Sequence, residues 1–173
     1  MNYHQIIISD TANGTGLRVS LFVSGCRNNC PECHNKAGQD FNFGKPFTQE
    51  TIEEILNQFR MVPVYDGLTI LGGDPMEPEN TYEVYALIRR FKTEFPDKTV
   101  WLYTGYNFED LIEGGKRMTT ETEGVIQNCD VIVDGRFDIK LKDVRLNYRG
   151  SSNQRIIDVK ESLKENKIVT LDL

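Results

Sequence analysis

Four short apolar runs in this 173-residue chain each end in a polar turn that carries glycine. They are Leu17–Ser24 before Gly25-Cys26, Gly67–Leu71 before Gly72-Gly73-Asp74-Pro75, Thr99–Tyr103 before Thr104-Gly105-Tyr106, and Asp130–Val133 before Asp134-Gly135-Arg136-Phe137. Short runs rich in β-branched and aromatic residues, bounded by such turns, predict strands. Helical stripes separate them. Ile52, Ile55, Leu56 and Phe59 repeat at helical spacing and predict a helix over 48–60, with Thr48 as N-cap and Glu50 at the positive end of the helix dipole. Val84, Leu87, Ile88, Phe91 and Phe95 form a second stripe, stopped by Pro96. Asn107 is placed to cap a short helix through Glu113, 121–128 reads as another helix, and Ile168–Leu173 as a weak final strand.

Strands alternating with helices predict parallel βαβ units in an α/β fold. The strands are apolar throughout rather than alternating, as expected where both faces are covered. A closed eight-fold barrel takes about 200 residues or more, so an open partial barrel or an open parallel sheet remains. Both place function at the carboxyl ends of the strands, where all four glycine-bearing turns fall. With no repeat and no linker-like stretch, the chain is expected to be one domain, 1–173.

The first of these turns opens Cys26-Arg27-Asn28-Asn29-Cys30-Pro31-Glu32-Cys33, three thiols spaced C-x3-C-x2-C. A closed zinc site or a fully ligated cubane needs four ligands. Three thiolates on one short loop suit a four-iron cluster with one iron left open for a small molecule. Asn28 and Asn29 tolerate left-handed backbone angles, and Pro31 stiffens the passage to the third thiol. The alternative is a zinc knuckle that borrows His34, but His34 is adjacent to Cys33 and badly placed to reach the same ion. The fourth cysteine, Cys129, precedes the fourth strand and reads as a small buried hydrophobe. Neighbouring cysteines this close make a poor disulfide framework.

The net charge of −6 argues against general nucleic-acid binding, which needs a basic footprint. No stretch approaches the roughly 20 apolar residues of a membrane helix. The N-terminus lacks the pattern of a secretory signal, and the expected compartment is the cytoplasm. One segment, Arg136 to Arg155, carries +4, which is either a solvated basic face or a docking surface.

A C-x3-C-x2-C loop after a first strand, with Gly72-Gly73-Asp74-Pro75 after the second, resembles the radical S-adenosylmethionine superfamily. Val23-Ser24-Gly25-Cys26, Trp101–Tyr106, Val133–Phe137 and Arg149–Gln154 narrow the resemblance to the activating proteins of anaerobic ribonucleoside-triphosphate reductases, over most of the chain to about Gln154. The resemblance implies a partial (β/α) barrel of the radical S-adenosylmethionine type, an open parallel sheet with helices on its outer face. It implies a [4Fe-4S] cluster held by Cys26, Cys30 and Cys33, whose open iron chelates S-adenosylmethionine. It further implies contacts to S-adenosylmethionine from Gly72, Gly73 and Asp74, with Asp74 accepting from the methionine ammonium. Thr104 and Tyr106 are placed either to contact the ribose or methionine side or to form a strand-end turn, and Asp134 either to meet a ligand hydroxyl or to form a turn before Gly135. The implied activity is that of a glycyl-radical activase, an oxidoreductase like the activating enzyme of formate C-acetyltransferase. Its partners would be the large subunit of the anaerobic reductase and a low-potential electron donor such as flavodoxin or ferredoxin. An activase of a different glycyl-radical enzyme and a non-catalytic zinc-binding interaction protein are the alternatives. Glu32 and His34 stand where relatives often have an aromatic residue before or after the third cysteine, which bears on cluster packing and potential rather than on ligation.

Overall fold

A computed structural model describes residues 1–173. Its centre is a seven-stranded mixed sheet in the order β3-β1-β2-β4-β5-β6-β7. Four strands run parallel: β2 (Arg18–Val23), β4 (Gly67–Gly72), β5 (Thr99–Tyr103) and β6 (Val131–Asp134). These are the four apolar runs predicted from sequence, each within a residue or so of its expected limits. The expectation of an all-parallel sheet is corrected at both edges. On one side β1 (Asn2–Asp10) pairs antiparallel with β2, and the two-residue β3 (Lys45–Pro46) pairs antiparallel with β1. On the other, β7 (Arg155–Asp158) pairs antiparallel with β6. The link from β1 to β2 is too short for a parallel crossover, so the chain reverses.

Helix α1 (Gln49–Met61) follows the cysteine loop, α2 (Pro78–Glu94) follows β4, and α3 (Phe108–Leu111) and α4 (Thr120–Asn128) lie between β5 and β6. Thr48 caps α1 as expected, accepting from the Thr51 N–H at 3.4 Å, while the Thr51 hydroxyl accepts the Thr48 N–H in return. Pro78 stands in the first turn of α2, where its missing N–H costs nothing. The short third helix departs from expectation. It stops at Leu111, and the Asn107 side chain makes no cap bond; the Phe108 N–H goes instead to Asp134 Oδ2 at 2.8 Å. The C-terminal segment forms no strand. It touches β7 through a single bridge, Ile157 to Thr170, and a last helix, α5 (Val159–Glu165), stands before it.

The strands divide their residues between two apolar layers. Val19, Leu21, Leu68, Ile70, Val100 and Leu102 join the stripes of α1, α2 and α4 in one buried cluster. On the opposite face, by the two-residue period of a strand, Trp101, Val131, Val133 and Ile156 form a smaller cluster with Tyr103 and Tyr148. Arg18 is buried on that face, its guanidinium 5.6 Å from the Trp101 ring centroid. It has no carboxylate partner. Its donors go to the Thr69 and Thr99 hydroxyls and to the carbonyls of Thr15, Leu68 and Thr99, which satisfies a buried cation by hydrogen bonding alone.

Candidate iron–sulfur and ligand site

Every parallel strand ends at the same edge of the sheet, and a cavity of about 410 Å³ opens there. Cys26, Cys30 and Cys33 line it together, and so do Gly72, Gly73, Asp74 and Thr104. Residues far apart in sequence meet because parallel strands bring their following turns side by side. Further lining comes from Phe22, Leu71, Tyr103 and Val133 at the strand ends and from Phe137 in the loop after β6. No role was read for these apolar walls from sequence; Leu71, Tyr103 and Val133 are signalled as the residues that end their apolar runs, while Phe22 and Phe137 carry no such signal.

The cysteine loop is held at its base by backbone bonds. Gly25 N–H donates to Gly38 O at 2.8 Å and Cys26 N–H to Gln39 O at 3.1 Å, while Cys33 N–H closes a turn on Cys30 O at 3.2 Å. Asn29 takes the expected left-handed conformation (φ 47°), but the second left-handed residue is Glu32 (φ 55°), not Asn28. Asn28 has a different task, because its side-chain amide donates to Asp74 Oδ2 at 2.9 Å. Burial pushes the Cys26 thiol up to about 11, against the opposing hydrogen bonds from Asn28. A thiolate at Cys26 would need the positive charge of a metal centre beside it.

Close approach explains the two glycines of the second turn. Gly72 has φ +110°, a conformation that side chains resist. A Cβ on Gly73 would lie 2.6 Å from Gly25 O and 2.8 Å from Gly38 O, so the turn is pressed against the base of the cysteine loop. The same contact carries hydrogen bonds, from Gly73 N–H to Val23 O at 2.7 Å and from Asp74 N–H to Gly25 O at 2.8 Å.

The Asp74 carboxylate is fully buried and has four donors. Oδ1 accepts the Met76 N–H at 3.0 Å and the Thr104 hydroxyl at 2.8 Å; Oδ2 accepts the Gly105 N–H and the Asn28 amide, both at 2.9 Å. Desolvation dominates these bonds and raises its pKa from 3.8 to about 6. Asp74 therefore clasps three turns together: the cysteine loop, its own, and the one after β5. Thr104 belongs to the same clasp, its hydroxyl also accepting the Tyr106 N–H at 3.2 Å.

Asp134 stands apart from the cysteine cavity. It lies in an adjoining polar hollow with Asn107, Glu109 and Arg155, and only its neighbour Gly135 lines both. Both carboxylate oxygens are engaged, Oδ1 by Arg155 Nε at 3.0 Å and Oδ2 by the Phe108 N–H and Arg155 Nη2. Arg155 is also paired with Glu109. Tyr106 likewise turns away from the cavity; its hydroxyl donates to Glu77 Oε1 at 2.9 Å and the Arg117 guanidinium lies 3.6 Å from its ring centroid. Gln154 is the member of Arg149–Gln154 whose role is clearest. It lines the cavity while its side chain receives the Gly150 and Ser151 N–H groups and donates to Gly135 O at 3.0 Å.

The donor set fits an iron–sulfur cluster. Three thiols share one cavity, and a cubane several ångströms across takes its thiolates at separate corners. His34 faces Phe137, with 5.8 Å between ring centroids. Cys129 is fully buried in the main core, remote from this cavity's lining.

Comparison with known proteins agrees with this geometry. The profile of the family described as 4Fe-4S single cluster domain matches residues 12–157. The chain is 39% identical over 155 residues to the anaerobic ribonucleoside-triphosphate reductase-activating protein of Escherichia coli (strain K12), covering 89% of this chain and 96% of that one. It is 40% identical over 157 residues to the protein of that name from Vibrio cholerae, covering 90% and 97%. The chain belongs to this family of activating proteins. The family reaches beyond bacteria: the member from Enterobacteria phage T4 is 38% identical over 156 residues, covering 90% of this chain and 93% of its own. The matched span of the family profile takes in the cysteine loop, the glycine turn, the Asp74 clasp and the Gln154 loop. No helix is long and apolar enough to cross a membrane.

Proposed function

We propose that this chain activates an anaerobic ribonucleoside-triphosphate reductase by generating a glycyl radical on the reductase large subunit. The observation that carries the reading is the shared cavity, in which Cys26, Cys30 and Cys33 face the Gly72-Gly73-Asp74 turn. The three cysteines would hold a [4Fe-4S] cluster with one open iron, and S-adenosylmethionine would lie between that iron and the glycine turn. Bound there, the pair would supply one-electron reductive cleavage of the sulfonium C–S bond, yielding methionine and a 5′-deoxyadenosyl radical that would take a hydrogen atom from a glycine Cα of the reductase.

The chain's own residues bind, orient and exclude water. Gly72 and Gly73 let backbone groups approach the methionine end of the ligand without a side chain between. Asp74 and Thr104 hold the turns in register, and because the Asp74 oxygens already have four donors we assign the ammonium to backbone carbonyls of the turn. Asp134, tied to Arg155 and the start of α3, supports the wall beyond Gly135. Phe22, Leu71, Tyr103, Val133 and Phe137 supply apolar surface that keeps bulk water from a reactive intermediate.

The sheet and its helix-covered outer face support reading residues 1–173 as one domain, a partial (β/α) barrel of the radical S-adenosylmethionine type. The enzyme class would be that of glycyl-radical activases, akin to the activating enzyme of formate C-acetyltransferase. It would work in the cytoplasm, with a low-potential donor such as flavodoxin or ferredoxin, and without nucleic acid.

The test is anaerobic reconstitution with iron and sulfide, then electron paramagnetic resonance with S-adenosylmethionine and the purified reductase large subunit. A glycyl doublet on that subunit is expected. Cleavage of S-adenosylmethionine without the doublet would redirect the activity to another glycyl-radical enzyme. A colourless protein holding stoichiometric zinc would overturn the reading.

A further inference from the structure

Glu77 occupies the N-cap of α2, yet its side chain makes no bond to its own helix. It turns toward the cysteine loop and is fully buried. Oε1 accepts the backbone N–H of Arg27 at 2.7 Å and the Tyr106 hydroxyl at 2.9 Å, and Oε2 accepts Arg27 Nη1 at 2.7 Å. Arg27 follows Cys26 directly and lies on the backbone between the first two thiols. Its guanidinium also pairs with the half-exposed Glu79 and lies 4.5 Å from the Phe41 ring centroid.

A helix N-cap is ordinarily filled by a side chain that accepts from its own first turn. Here a carboxylate gives up that role and is buried, which costs free energy unless every lone pair is well used. Three donors use it, two of them from one residue of the cysteine loop.

We propose that Glu77 is a positioning residue for the iron–sulfur loop: it fixes the backbone between Cys26 and Cys30, and its charge lowers the cluster's reduction potential. The inference rests on the assignment of Cys26, Cys30 and Cys33 as cluster ligands. Two effects act in the same direction. Backbone N–H groups that point at cluster sulfur raise its potential, and Glu77 takes the Arg27 N–H for itself. Arg27 also faces two carboxylates, Glu77 and Glu79, so the trio is net negative beside the first ligand and opposes the arrival of an electron. A low potential is what the one-electron cleavage of a sulfonium requires.

Protein reconstituted anaerobically with iron and sulfide tests this without the reductase. The readouts are resistance of the cluster to an iron chelator and the midpoint potential from a dithionite titration followed by electron paramagnetic resonance. Glu77→Gln keeps the shape and one acceptor but removes the charge; it should hold iron and shift the potential to more positive values. Glu77→Ala releases the Arg27 backbone and should lose iron at roughly 10-fold lower chelator concentration, the scale of a lost supporting contact to a metal ligand set. Glu79→Ala, which removes only the half-exposed partner, should keep its iron and shift the potential less than Glu77→Gln. An unmoved potential in Glu77→Gln, unchanged chelator resistance in Glu77→Ala, or an equal shift in Glu79→Ala overturns the inference. If Glu77→Ala does not fold, judged by far-ultraviolet circular dichroism, the comparison of Glu77→Gln with Glu79→Ala decides. Failure of the unaltered protein to take up a cluster would overturn the proposed function instead.

Discussion

Asn28 donates its side-chain amide to Asp74 Oδ2 at 2.9 Å, and this bond joins the cysteine loop to the glycine turn. The two residues lie 46 positions apart and belong to different strand-end turns. Replacing Asn28 with alanine removes a donor from a fully buried carboxylate. Asn28→Ala should lower the unfolding free energy by about 1–3 kcal/mol, the usual cost of a buried polar group left short of a partner. Urea denaturation of the cluster-free protein measures it, and a change within error would mean that water replaces the amide.

Cys26→Ala, Cys30→Ala and Cys33→Ala should each abolish the reconstituted cluster and glycyl-radical formation. Cys129→Ala should keep both, because Cys129 lies wholly in the core and lines no part of the site. Iron and sulfide analysis with visible absorbance distinguishes the four variants. Retention of a full cluster in any of the first three would overturn its assignment as ligand.

Gly73 is hemmed in by backbone where a methyl group would stand, with Gly25 O, Gly38 O and Gly25 N all within 2.9 Å of that point. Gly73→Ala must push the turn away from the cysteine loop, since backbone cannot rotate aside as a side chain can. A loss of about 1–3 kcal/mol is expected from such overpacking, together with weakened S-adenosylmethionine binding. Thermal melting and equilibrium binding report the two effects; a variant with native affinity would show that the turn does not contact the ligand.

Asp74 should give the protein an unusual pH dependence. An aspartate of ordinary pKa 3.8 is raised here to about 6, chiefly by desolvation, so between those values the native state holds a proton that the unfolded chain has released. The stabilisation from this group is fully present below about pH 4 and is lost as pH rises through about 6. Asp74→Asn cannot titrate. The stability advantage of the natural protein over this variant should therefore shrink across that window, by a ceiling of about 3 kcal/mol at roughly 1.4 kcal/mol per pKa unit. Parallel denaturation curves at pH 4 and pH 7 check it, and a gap that widens with pH would show that the four donors outweigh desolvation.

The four parallel strands were legible because each apolar run is short and bounded by a glycine turn, and the α1 stripe with Thr48 was legible from helical spacing. The antiparallel edges were harder to see. β1 pairs with β2 through an irregular register, with shifts near Tyr3 and Asp10, and so lacks a clean two-residue alternation. β7 and α5 follow a polar loop whose composition resembles surface.

By itself the sequence determined which groups the site has to work with and where they stand: three thiols at a fixed spacing, and glycine turns at the carboxyl ends of strands. Those are local properties, set by residue type and short-range geometry. Only the tertiary structure decided what the carboxylates do. Along the chain Asp74 and Asp134 read as ligand contacts and Glu77 carried no assignment, but burial forces each to find internal donors, and those donors are as distant as Asn28 and Arg27 in the cysteine loop and Arg155 in β7. Which donors a buried charge meets depends on how the strands assemble, and no local pattern records it.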